Sequence, residues 1–245
     1  MSEETSKEPG KVLLFASTKG GVGKSTSVTN MATMLVHAGF TCKIFDVDKQ
    51  RSVGDWSDVR VSAKIEPRIH VEHRPLVIKD QRDAGVKGQA FTTEVREAAD
   101  EYDFVLIDVG GEDNPALRMA MLACDEMFVP LSPSSMDTWA LSNLEEVWRL
   151  VSGIGHNPSL VPRLYFSRVS PNSSERTKID QIMDEYSDFE FLDRVIVFER
   201  TQYRRATEEG RALIEMPRPD PKGVSEMLGL YKAISGFDWQ RRFGK

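Results

Sequence analysis

An apolar run, Val12-Leu13-Leu14-Phe15-Ala16, breaks into Lys19-Gly20-Gly21-Val22-Gly23-Lys24-Ser25-Thr26, and this octet restricts the fold more than any other stretch of the chain. It continues into Ser27-Val28-Thr29-Asn30-Met31-Ala32-Thr33-Met34-Leu35, which reads as a helix. A strand, a glycine loop closing on Gly-Lys-Ser, and a helix together make a phosphate cradle. The glycines let backbone N–H groups close on phosphate oxygens, and the helix N-terminus adds the positive end of its dipole. Lys24 is expected to reach the outer phosphates of a nucleotide, and the Ser25 hydroxyl to bind Mg²⁺.

Strand and helix signals alternate through the rest of the chain. They predict a single α/β domain over residues 11–245, a mostly parallel twisted sheet with helices on both faces. Strands are expected at 12–16, 42–47, 69–72, 102–107, 126–129, 164–166 and 195–198. Helices are expected at 24–37, 92–100, from Asn114-Pro115 onward, and at 137–151, 173–186, 203–209 and 224–234. The pattern is weakest between 55 and 100. With 245 residues, 40% of them hydrophobic, the chain can bury one sizeable core.

Residues 1–10 are polar, with Glu3, Glu4 and Glu8, and read as a short disordered tail rather than a signal peptide. No stretch approaches the roughly 20 apolar residues of a membrane span. The formal net charge of −6 does not advertise nucleic-acid binding, so any such site must be a local patch. Cys42 and Cys124 lack metal-type spacing and read as reduced thiols of a cytosolic protein. His70 and His73 fall in a strand-like run, where they would face opposite sides of a sheet, so no metal is expected there.

Two acids end predicted strands, where open α/β sheets bind ligands. Asp46-Val47-Asp48 closes the second strand, and Tyr102-Asp103-Phe104-Val105-Leu106-Ile107-Asp108 is a buried strand capped by Asp108. The latter is a Walker B arrangement, in which Asp108 would hold Mg²⁺ through water. Val109-Gly110-Gly111 follows, and two glycines suit a segment that moves when a γ-phosphate leaves.

Thr18 stands where an ordinary phosphate loop has its first glycine, and Lys19 comes next. A lysine there is the deviant Walker A pattern, and the octet resembles the ParA/MinD family of dimerising ATPases. The spacing of Trp56 and the segment Pro130-Leu131-Ser132-Pro133-Ser134-Ser135-Met136-Asp137 look like small ParA-like plasmid-partition ATPases and their VirC-like relatives. The resemblance covers residues 12 to about 215.

It implies ATP and Mg²⁺ as ligands, with Lys19, Gly20, Gly21, Val22, Gly23, Lys24, Ser25, Thr26 and Arg168 around the nucleotide and Ser25 and Asp108 at the metal. Lys19, Lys24 and Asp48 are the implied catalytic residues. Lys19 would cross to a partner subunit's phosphates, and Asp48 would help position the attacking water. This chain has Lys49 where the family usually has proline, and Ser167 where many relatives have the asparagine of an Asn-Arg pair on adenine.

The family's partition ATPases also imply a homodimer in the ATP state, non-specific DNA, and a centromere-binding ParB-like partner that stimulates slow hydrolysis. They imply a cytoplasmic, nucleoid-associated protein. Arg200, Arg204, Arg205 and Arg211 are the candidate DNA contacts, set against a solvated helix face balanced by Glu199, Glu208 and Glu209. The end of the chain, from Phe237 and Trp239 to Arg241, Arg242 and Phe243, suits packing on the body, a DNA contact or a weak membrane anchor. The rivals to partition are a MinD-like positioning ATPase of the membrane surface, a metabolic or metal-transfer enzyme on the same fold, and an inactive nucleotide-binding scaffold.

Overall fold

The computed structural model describes residues 8–111, 115–133, 135–153, 157–171 and 174–240. Residues 1–7, Asn114, Ser134, Ser173 and residues 241–245 lie outside them, as does the side chain of Asp137.

Seven strands form one sheet in the order β3-β2-β4-β1-β5-β6-β7. They are β1 Lys11–Phe15, β2 Cys42–Asp46, β3 His70–His73, β4 Phe104–Asp108, β5 Glu126–Leu131, β6 Pro162–Val169 and β7 Glu190–Phe198. Every described pairing is parallel. Apart from Lys11, every residue of β1 and β4 is buried, as the continuous apolar runs of strands covered on both faces require. The register sets Phe15 and Asp46 each beside Asp108, so the carboxyl ends of β1, β2 and β4 are flush. The phosphate loop and both acidic strand ends therefore open on one edge of the sheet.

Helices cover both faces: α1 Lys24–His37, α2 Ser52–Ser62, α3 Gln81–Glu101, α4 Pro115–Ala123, α5 Ser135–Gly153, α6 Ser174–Glu185, α7 Thr201–Glu208 and α8 Pro221–Ser235. One apolar cluster joins the sheet to α3, α4, α5 and α6, and the other joins it to α1, α2, α7 and α8. The expected boundaries of α1 hold. Gly39, with φ 97, ends the helix, and the Phe40 N–H turns back to the Leu35 carbonyl at 3.1 Å.

The weak stretch between 55 and 100 resolves into α2, β3 and a long α3. In α2 the inward positions are Val53, Trp56 and Arg60, so a charged residue sits in the apolar stripe and hides the helical period. In α3 two glycines interrupt the pattern. A Cβ on Gly88 would meet Met119 Cγ at 3.2 Å, so close packing of α3 on α4 accounts for one of them.

The buried Arg60 charge is fully partnered. Its guanidinium makes two hydrogen bonds to Glu215, at 2.7 and 2.8 Å, and donates to the carbonyls of Pro67 and Gly210. Glu215 lies in a short 3-10 turn, Leu213–Glu215, and also meets His37 Nε2 of α1 at 2.8 Å. All three side chains are at most 4% exposed. The cluster joins the end of α1, the last turn of α2 and the segment before α8.

Burial alone would raise the Glu215 carboxyl; the Arg60 and His37 hydrogen bonds outweigh it and bring it down to about 2. A carboxyl held below its ordinary value of 4.5 contributes stability in full above that value and loses it as pH falls through about 2. Glu215→Gln, which leaves Arg60 buried without its counter-charge, is expected to cost about 3–5 kcal/mol in chemical unfolding at neutral pH. The difference from the parent chain should shrink as unfolding is repeated at progressively lower pH.

Candidate nucleotide site

A cleft of about 960 Å³ opens at the carboxyl edge of the sheet, lined by the phosphate loop, the segments after β2, β4 and β7, the end of β6, and α7. Gly21 and Gly23 hold left-handed backbone, with φ 78 and 97, which a side chain would strain. A Cβ on Gly23 would stand 2.6 Å from Ser167 Oγ, so the loop is pressed against the end of β6. Gly20, Gly21, Gly23, Lys24, Ser25 and Thr26 line the cleft. Val22 turns into the core at 3% exposure. Lys19 is half-buried; its N–H donates to Ser17 Oγ at 3.1 Å, and its carbonyl accepts from Lys24 Nζ at 3.0 Å.

α1 carries this loop from a fully packed position. Ser27, Thr29, Asn30 and Thr33 are buried, and each finds a partner. Tyr165 donates to Ser27 Oγ at 2.7 Å, and Thr29 and Thr33 donate back to the carbonyls of Thr26 and Thr29. Asn30 donates to Thr26 O and accepts from Leu213 N–H at 2.8 Å. A helix with satisfied polar groups on every side does not slide, which fixes where its N-terminus points.

The chemistry gathers beside Lys24. Burial lowers the pKa of this ammonium, while the nearby charges of Asp108 and Asp48 pull it back up. Ser25 Oγ donates to Asp108 Oδ2 at 2.7 Å. The other oxygen, Asp108 Oδ1, is buried with no hydrogen-bond partner among the described residues. Burial first, then the charges of Asp46 and Asp48, push the Asp108 carboxyl up to about 7 against the Ser25 hydrogen bond and Lys24. A hydroxyl and a carboxylate in contact, with one acceptor left over, fit a hard divalent cation that takes oxygen ligands.

Asp46 is fully buried and ties the next segment down. It accepts from Asp48 N–H at 3.1 Å and Gly54 N–H at 2.8 Å, which anchors the start of α2. Burial raises its pKa, opposed by those two N–H groups and by His73, whose Nδ1 lies 3.9 Å away. Asp48 is half-buried, lines the cleft, and caps Gln50 N–H at 2.9 Å. Gly110 and Gly111 close the same corner. A Cβ on Gly110 would meet Asp48 Oδ1 at 3.2 Å, and one on Gly111 would overlap Gly20 Cα at 2.5 Å.

On the opposite wall Arg168 lines the cleft, as expected of a residue around the nucleotide, while the arginines expected on DNA divide between several settings. Arg168 has φ 53 and bridges the Gly21 carbonyl of the phosphate loop to Glu199 Oε1 at 2.8 Å. Arg200, expected on DNA, is taken up internally: Glu226 and Asp220 both hold its guanidinium, which is 19% exposed. Arg211 pairs with Glu209 at 3.6 Å and donates to the Glu215 carbonyl. Arg205 is exposed, and Arg204 is exposed on the cleft wall itself. Lys49, Glu199, Tyr203, Arg204 and Thr207 line the cleft without having been assigned to it from sequence. The rule that such sheets bind at their carboxyl ends, extended from β2 and β4 to β7, would have found the last four. Trp239 packs on the body, donating from its indole to Met34 O at 2.9 Å.

A chain with this sheet order, loop and pair of acidic strand ends is a P-loop ATPase of the ParA/MinD superfamily. Residues 11–206 match the family model described as ATPase MipZ, and the chain belongs to that family. It is 28% identical over 209 residues to the maintenance of carboxysome distribution protein A of Halothiobacillus neapolitanus, covering 83% of this chain and 87% of that protein. To protein ParA of Rhizobium radiobacter it is 25% identical over 208 residues, covering 84% and 86%. In fold it is similar to a putative plasmid partition protein from Borrelia burgdorferi solved with AMPPNP. The TM-score is 0.72 at 18% identity, over 93% of this chain and 99% of that one.

Gly111→Ala tests the tight corner. Its methyl group would drive the backbone of Gly20 out of place, so nucleotide affinity is expected to fall by about 10-fold or more in calorimetric titration. Gly85→Ala, a glycine whose Cβ would meet nothing within 4 Å, should leave affinity unchanged.

Proposed function

We propose that the chain is an ATP-driven partition ATPase that dimerises on binding ATP, holds DNA non-specifically in that state, and is reset by hydrolysis that a partner protein stimulates. The observation that carries the ATP-hydrolysis reading is the Ser25–Asp108 contact, with its unpartnered carboxylate oxygen, in the same cleft as Lys24 and Asp48. The partition reading draws on relatives whose names concern the distribution of carboxysomes and the ParA proteins.

The glycine loop and the N-terminus of α1 present N–H groups to the phosphates, and the Lys24 ammonium neutralises the outer ones. Ser25 and Asp108 would hold Mg²⁺, which when bound would neutralise charge on the phosphate oxygens. Asp48, positioned through Asp46, orients the attacking water. Lys19 reaches the phosphates of a second copy of the chain, so two subunits complete each other's sites. Gly110 and Gly111 let the segment after β4 follow the γ-phosphate, so that nucleotide state sets dimer state.

DNA contact in this reading falls to the exposed Arg205, with phosphates contributing affinity without sequence. Arg200 and Arg211 have protein partners and are not part of it. Hydrolysis is slow alone, and a ParB-like protein on a centromere accelerates it. The protein is cytoplasmic and nucleoid-associated. Among the described residues no helix is long and apolar enough to cross a membrane, and Trp239, an aromatic that a MinD-like surface anchor would use, is held inward.

Lys24→Ala should abolish nucleotide binding. Asp48→Ala should keep ATP binding and lower turnover by about 100-fold, trapping the dimer. If both variants turned over at the parent rate, the site would be elsewhere. Lys19→Ala should bind ATP yet stay monomeric in light scattering. With ATP, the parent chain should co-sediment with DNA rather than with liposomes, and lose DNA as salt rises. Sedimentation with liposomes alone would favour surface positioning instead.

A further inference from the structure

Five cations line the nucleotide cleft: Lys24, Lys49, Arg168, Arg200 and Arg204. Three have intramolecular partners. Lys24 donates to the Lys19 carbonyl, Arg168 bridges Gly21 and Glu199, and Arg200 is held by Glu226 and Asp220. Lys49 and Arg204 have no ion pair or hydrogen bond among the described residues. Glu208 follows Arg204 by one helical turn and lines the same cleft, but does not pair with it.

The two uncommitted cations sit at opposite ends. Lys49 follows Asp48 beyond β2, and Arg204 lies on α7 beyond β7. The sheet order places β2 and β7 on opposite sides of β1, from which the phosphate loop springs. Lys24, Ser25, Asp48 and Asp108 mark the β2–β4 side as the end for the outer phosphates. The end under β6 and β7 is left for the nucleoside.

α7 is held so that one face meets this end. Tyr203 donates to the Gly223 carbonyl at 3.1 Å, Gln202 donates to the Arg218 carbonyl at 2.8 Å, and Arg200 fixes the first turn to α8 and its N-cap. Tyr203, Arg204 and Thr207 then line the cleft, while Arg205, one position further round the helix, does not. A guanidinium so placed can pair with an α-phosphate or lie on a purine face, two contacts that ATP and ADP offer alike.

We propose that Arg204 is a nucleotide-binding residue that holds the nucleoside and α-phosphate end of ATP and ADP, and not a DNA contact. The assignment rests on the reading of the cleft as a nucleotide site. It divides two adjacent arginines of one short helix between two ligands: Arg204 faces the nucleotide, and Arg205 faces out.

The test is titration of the full chain with ATP and with ADP, each with Mg²⁺ and without DNA, for the parent, Arg204→Gln, Arg204→Lys and Arg205→Gln. Arg204 is exposed, and its replacement removes no core contact. Arg204→Gln should weaken both nucleotides by a similar factor, roughly 10-fold, with Arg204→Lys intermediate and Arg205→Gln unchanged. Parent-like affinity of Arg204→Gln for both nucleotides would overturn the proposal, most decisively if DNA co-sedimentation of that variant fell. Weakening for ATP alone would also overturn it, because the contact would then be to the γ-phosphate. If the parent chain itself bound neither nucleotide, the cleft reading would fall, and this one with it.

Discussion

A carboxylate with no water around it is costly unless something shares its charge, and Asp108 sits fully buried at the end of a central strand with one hydroxyl for company. Much of the surrounding architecture relates to that. The flush ends of β1, β2 and β4 bring Asp46, Asp48 and Lys24 to the same corner, where the charges of Asp46 and Asp48 add to burial in raising the Asp108 carboxyl and Lys24 opposes them. A site that receives a cation together with a polyphosphate is completed by both, because each supplies charge the other requires.

Rigidity around that corner comes from polar contacts inside the apolar layer. α1 is buried on all sides, and it is held in axial position by hydroxyls and an amide that would be out of place in a surface helix. The Arg60–Glu215–His37 cluster locks the far end of the same helix to α2, whose own start is pinned by Asp46. Thus the two segments that begin at the phosphate loop and at Asp48 are braced against each other at a distance from the cleft. Movement of one relative to the other would have to break buried, charged hydrogen bonds.

Much of this was legible in the amino-acid sequence, and the exceptions have a common cause. The octet, the acid after each of two strands and the alternation of elements were readable because each rests on a local pattern. α2 was missed because Arg60 occupies a position where an apolar residue was expected, and only Glu215, 155 residues away in sequence, explains it. The first half of α3 was missed because Gly88 answers to Met119 on another helix. Arg200 and Arg204 looked alike in a basic run; carboxylates on and just before α8 separate them. Long-range partners are invisible to periodicity, and here they decide which charged side chains face a ligand.

The contact between Gly111 and the phosphate loop has a mechanical meaning. Where two backbones touch with no side chain between them, nothing compressible separates them, and the interface is a hard stop. Gly111 has no room to approach Gly20 more closely. The spacing of the two loops is therefore set by van der Waals radii rather than by a balance of weak attractions.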